Sequence, residues 1–155
     1  VCDVIRAITN AKIPVCAHIG LTPQAINALG GFKVQGKDLD SARTIIEDAL
    51  AVQEAGAFAV VLECVPAPLA SKISEMLDIP TIGIGAGPDC DGQVLVYQDM
   101  LGLYKDFTPK FVKRFADVGQ QMDQGVRDYI QAVKDCSFPE PAHSFKMDEE
   151  IVKEL

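Results

Sequence analysis

An α/β fold with parallel strands is predicted, and three observations predict it. Short β-prone runs alternate four times with helical patterns along the chain, the order that parallel strands joined by right-handed crossovers produce. The segment Ala57-Phe58-Ala59-Val60-Val61-Leu62-Glu63-Cys64-Val65-Pro66 runs apolar into one carboxylate and then a proline. A strand buried on both faces ends this way at the C-terminal edge of its sheet. The 155 residues are 48% hydrophobic and 23% charged, enough for one globular core.

Each element has its own local reason. Residues 1–12 space Val1, Ile5 and Ile8 as a helix with Lys12 in its last turn. The run from Ile13 to Ile19 reads as a strand whose early Pro14 falls where pairing has barely begun. Thr22-Pro23 signals a brief helix that stops at Gly30-Gly31, and Gly30 to Lys37 reads as a loop. The clearest helix is 38–55, capped by Asp38 or Asp40, with Ala42, Ile45, Ile46, Ala49, Leu50 and Val52 as its apolar stripe. Gly56 ends it before the strand that carries Glu63. A helix at 67–78, a strand at 79–84, a glycine loop at 85–88 and a strand at 93–97 follow. A short helical stretch at 99–103 precedes a long helix at 109–134, and 136–155 reads as an extended or partly mobile tail.

Two arrangements fit this order, an open doubly wound sheet and part of a (β/α)8 barrel, of which four units are about half. On the strand at 57–63, Ala57, Ala59, Val61 and Glu63 share one face, and Phe58, Val60 and Leu62 share the other. Small residues inward with a terminal acid suit a barrel interior, and larger ones outward suit packing under helices. A buried open sheet can give the same pattern. The chain opens at Val1 inside an apolar helical pattern, which leads to the expectation that it is a fragment.

Composition excludes several functions. A net charge of −8 and a pI of about 4.6 argue against nucleic acid or an anionic membrane as partner. No apolar run approaches the roughly 20 residues that span a bilayer. Five widely spaced cysteines lack both zinc-site spacing and the density of a disulfide scaffold. With no secretory or mitochondrial targeting pattern in the first residues, a cytoplasmic location is expected.

Eight motifs in order carry a resemblance. They begin with His18-Ile19-Gly20-Leu21-Thr22-Pro23-Gln24, Gly30-Gly31-Phe32-Lys33-Val34-Gln35-Gly36, Glu54-Ala55-Gly56-Ala57-Phe58 and Leu62-Glu63-Cys64-Val65-Pro66. Ile79-Pro80-Thr81-Ile82-Gly83-Ile84-Gly85-Ala86-Gly87, Cys90-Asp91-Gly92-Gln93-Val94-Leu95-Val96, Asp99-Met100-Leu101-Gly102-Leu103 and Pro109-Lys110-Phe111-Val112-Lys113-Arg114 complete the series. From the first strand to about Phe145 the chain resembles the ketopantoate hydroxymethyltransferases (3-methyl-2-oxobutanoate hydroxymethyltransferases). The resemblance implies a (β/α)8 TIM barrel of the phosphoenolpyruvate/pyruvate type, with residues 1–135 supplying its C-terminal half, strands five to eight, and 136–155 a tail. It further implies Mg2+, a homo-oligomer (a decamer in the family), and transfer of a hydroxymethyl group from 5,10-methylenetetrahydrofolate to 3-methyl-2-oxobutanoate in pantothenate synthesis. The metal ligands, and the Ser and Lys that hold the keto acid, are expected outside this chain. A lyase or mutase of the same superfamily is disfavoured by the length of the match. An inert half-barrel or structural component remains the alternative for these residues alone.

Among individual residues, a carboxylate at a strand's C-terminal edge gains basicity from partial burial, although a solvated loop Glu has the same sequence. The resemblance makes Glu63 the catalytic base. His18 ends its own strand and is expected either to contact a substrate carboxylate or the pterin, or to brace a neighbouring loop. Gly83-Ile84-Gly85-Ala86-Gly87 matches no phosphate-loop spacing and reads as close backbone approach. Asp89 and Asp91 read as solvated or capping, Lys33 and Lys37 as anion contacts of weak support, His143 as a surface or interface residue, and Cys64 as facing away from Glu63.

Overall fold

The structure, a computed structural model, describes residues 1–25, 31, 33–104 and 106–155, which fall into two compact units. The first unit is Val1–Tyr97 with Thr108–Lys113. It runs α1 (Cys2–Asn10), β1 (Cys16–Gly20), a 3₁₀ turn (Pro23–Ala25), α2 (Leu39–Glu54), β2 (Ala59–Glu63), α3 (Ala67–Met76), β3 (Thr81–Ile84) and β4 (Gly92–Gln93). All strand pairs are parallel, in the order β1-β2-β3-β4. Strand order therefore follows chain order without the reversal of a doubly wound sheet. This parallel α/β arrangement is consistent with a section of a TIM-type barrel.

Local chemistry sets the helices. Asp38 starts α2: its carboxylate accepts from the Ser41 N–H at 2.9 Å, and the Ser41 hydroxyl accepts from the Asp38 N–H at 3.3 Å, a reciprocal capping box. The apolar stripe then buries Ile45, Ala49 and Val52. At the other end of α2, Gln53 Oε1 accepts from the N–H groups of Asp78 and Ile79 at 2.7 and 3.2 Å, fixing the entry to β3.

Register divides the sheet into two faces. Ala17 pairs with Val60 and Ile19 with Leu62, and all four join Ile45, Ala49, Ala70 and Ile73 in one core under the helices. Val60 and Leu62 are fully buried, each burial contributing roughly 1.5–3 kcal/mol. On the opposite face lie Cys16 opposite Ala59, His18 opposite Val61, and Gly20 opposite Glu63. The expected alternation holds from Ala59 onward but not before it. Ala57 sits in the helix-side core and Phe58 is 55% exposed, because both precede β2, where the pleat has not begun.

Strand and helix bounds differ from expectation where pairing runs out. β4 is only two residues long: Val94 still donates to the Gly83 carbonyl at 3.0 Å, and Val94 and Val96 beyond it are exposed. The brief helix expected after Pro23 is one 3₁₀ turn as far as Ala25, and 26–30 lie outside the described residues.

The second unit, Gln98–Phe107 with Arg114–Leu155, is helical, with α5 (Val118–Lys134), a 3₁₀ turn (Pro141–His143) and α6 (Glu149–Lys153). A one-turn helix, α4 (Tyr97–Met100), precedes them in the chain. The long helix starts at Val118 rather than 109. The N–H groups of Phe115 and Val118 donate to the carbonyls of Met100 and Leu101, at 2.8 and 3.0 Å, instead of to partners four residues back. The tail is not wholly extended. Asp148 caps α6 by accepting from the Glu150 N–H at 3.0 Å, and Phe138 stacks between Tyr129 and His143 with ring centres 5.7 and 5.3 Å apart. No described helix is long and apolar enough to cross a membrane.

Candidate active site

Paired strand ends bring two titratable groups together on the face away from the helices. Glu63 is the last residue of β2 and His18 the third of β1. Glu63 Oε2 lies 3.1 Å from His18 Nε2, with side chains 14% and 37% exposed respectively. The same Nε2 lies 2.9 Å from the Leu21 carbonyl oxygen. Both neighbours present acceptor oxygens to Nε2, so a hydrogen on that nitrogen has the Leu21 carbonyl as its nearest partner and the Glu63 carboxylate beside it.

The backbone around this pair is tightly constrained. Leu21 donates its N–H to the Glu63 carbonyl at 2.8 Å, which returns the chain of β1 over the end of β2. Gly20 makes that return at φ +84, where any Cβ would run into the Glu63 carbonyl oxygen and lie 2.8 Å from Val65; only glycine fits. Cys64 takes a left-handed φ of +51, unusual for a residue with a side chain. Its N–H donates to the Ile84 carbonyl at 2.9 Å and its carbonyl accepts from the Gln35 N–H at 2.8 Å. Two bonds thus hold the bend at which Glu63 leaves the sheet.

Burial pushes the Glu63 carboxyl above its ordinary range, while the charge and hydrogen bond of His18 pull the other way without cancelling it. The Cys64 thiol is raised too, first by burial and then by the Glu63 charge, so it stays protonated and is no nucleophile. Its inertness comes from that burial and bend, since Cys64 lies outside β2 and not on its alternating face.

One residue beyond Glu63 begins an apolar groove of about 740 Å³, lined among others by Cys64, Val65, Gly85, Val94, Lys110 and Phe111. Gly87 lets its loop lie against the start of α3, since a Cβ there would collide with Ala67. The glycine motif thus serves close approach, as its spacing suggested. Asp91 is pinned to β3: its Oδ2 accepts from the N–H and hydroxyl of buried Thr81 at 2.8 and 2.9 Å. Those bonds hold its carboxyl below the usual range. Asp89, Lys33 and Lys37 are exposed. His143 accepts from the Glu140 N–H at 3.2 Å through Nδ1, a local cap. Among the described residues no three His, Cys, Asp or Glu side chains cluster as a metal site.

A family model described as ketopantoate hydroxymethyltransferase matches residues 1–141. The chain belongs to this family. It is similar over its whole length to proteins named 3-methyl-2-oxobutanoate hydroxymethyltransferase: 61% identical to those of Enterococcus faecalis and Clostridium novyi, and 56% to that of Carboxydothermus hydrogenoformans. Each match covers 100% of this chain and 56% of the relative, so the chain spans about half the length of the curated relatives it matches. Within this chain, reading the sequence singled out Glu63 and His18, and the fold brings them together. It missed the Leu21 carbonyl, the Asp91–Thr81 pin and the groove at Lys110 and Phe111. The Gly20 that follows His18 was the available signal for a return of the chain there.

Proposed function

We propose that these residues are the base-bearing half of a hydroxymethyltransferase that converts 3-methyl-2-oxobutanoate to 2-dehydropantoate, with Glu63 as general base. The observation that carries this is a half-buried carboxylate of raised pKa at the C-terminal end of a parallel strand, steadied by one imidazole N–H. In the reaction the C3–H bond of the keto acid breaks, its proton passes to Glu63, and the electron pair delocalises onto the ketone as an enolate. C3 then bonds to the one-carbon unit of 5,10-methylenetetrahydrofolate; water supplies the new hydroxyl oxygen and tetrahydrofolate leaves. His18, expected from the sequence to contact a substrate carboxylate or the pterin or to brace a neighbouring loop, meets the Leu21 carbonyl of the loop after β1, and a substrate contact stays part of this reading. The apolar groove beside Cys64 suits the aromatic part of the folate. Mg2+, which the resemblance implies, would be held by polypeptide outside these residues.

The same reading makes residues 1–135 the second half of one (β/α)8 barrel, with 136–155 a tail, in a cytoplasmic homo-oligomer. Glu63→Gln in the natural full-length protein should slow deuterium exchange at C3 of 3-methyl-2-oxobutanoate by about 10²–10⁴-fold. Unimpaired exchange would refute the base assignment. For the 155 residues alone a second reading has its own support: β1 and β4 are edge strands in the described sheet. Alone, they would be catalytically inert.

A further inference from the structure

We infer that His18 is a positioning residue for Glu63, its imidazole held by the Leu21 carbonyl with Nε2 protonated so that one carboxylate oxygen is held and the other is free to take a proton. The inference rests on Glu63 being the base and adds how that base is oriented.

Three facts carry it. First, a single ring nitrogen faces two acceptors, the Leu21 carbonyl at 2.9 Å and Glu63 Oε2 at 3.1 Å. The Nδ1–H tautomer would set a lone pair against both, so the carbonyl selects the form that donates to Glu63. Second, that carbonyl is itself fixed. Leu21 is 2% exposed, its N–H is bound to the Glu63 carbonyl, and Gly20 permits the return where a side chain would not. The loop after β1 and the end of β2 therefore hold the acid and its partner as one unit. Third, the oxygen that lies against His18 is Glu63 Oε2, at 3.1 Å, and Oε1 is assigned the substrate proton.

No other charge competes at this place among the described residues. Gly20 stands opposite Glu63 on β1 and Ile84 opposite it on β3. Cys64, next along the chain, is held protonated by burial. His18 is the group whose charge and hydrogen bond favour the ionised carboxylate against burial, so removing it moves Glu63 ionisation to higher pH.

The test uses the natural full-length protein and C3 deuterium exchange of 3-methyl-2-oxobutanoate as a function of pH. Exchange rises as Glu63 ionises. In His18→Ala it should fall about ten- to a hundredfold at neutral pH, with its acid limb moved to higher pH. His18→Gln, which keeps an N–H donor, should restore most of the rate and bring the limb back toward its original place. Nitrogen-15 NMR of the unsubstituted protein should show Nε2 protonated, a readout that needs no variant to fold. An unmoved acid limb in His18→Ala, or an Nδ1–H tautomer in the unsubstituted protein, overturns the inference. Retained exchange in Glu63→Gln instead overturns the base assignment itself, so the two failures are distinguishable.

Discussion

Adjacent residues on one strand face opposite ways and have opposite consequences. Leu62 is fully buried in the helix-side core, and Glu63, next along the chain, lies on the other face with a raised pKa. Leu62→Ala removes packing only, so it should cost about 2–5 kcal/mol of unfolding free energy by urea titration. Glu63 has the reverse sign for stability. Because its folded pKa is raised, the folded state favours the protonated acid, and that stability is present below the unfolded pKa and lost as pH rises through the folded value. The apolar run before Glu63 and the proline after it made this residue visible in the sequence. Its hydrogen-bond partner was not visible as a partner, because His18 is 45 positions away and only strand register joins them.

Caps and tight returns govern the elements. Asp38 holds the first turn of α2 by accepting from Ser41 through both the backbone N–H and the hydroxyl. Those bonds lower its folded pKa, so the stability it contributes is present above the unfolded pKa and lost as pH falls through the folded one. Asp38→Ala should lower the thermal midpoint at neutral pH, and the difference from the unsubstituted chain should shrink in acid; calorimetry at two pH values checks this. The bounds of β4 and α5 were misjudged from the sequence for one reason. Each end is set by where a distant carbonyl captures an N–H, Gly83 for Val94 and Met100 for Phe115, and such partners leave no local mark.

For the molecule as a whole, sequential parallel order points to a barrel section, and the two edges of that section govern how the residues behave alone. β1 has a described neighbour only in β2, and β4 only in β3. An open section leaves backbone donors and acceptors without strand partners and exposes the sheet face that carries Cys16 and His18. The 155-residue chain by itself should therefore show no C3 exchange under conditions where the full-length protein does. Parallel assays of both, with sizing by chromatography, check this, and an active soluble monomer of 155 residues would contradict it.

By itself the sequence determined the parallel α/β class, the family and the placing of an acid at the end of a buried strand, because these are written in contiguous runs: alternating periods, long motifs, and an apolar strand that stops on a carboxylate. Only the tertiary structure decided which groups face His18, how Cys64 is buried at its bend, and what Asp91 does. Each of those depends on a hydrogen bond, a bend or a burial produced when separate segments meet in register, and a linear string carries no distance between them.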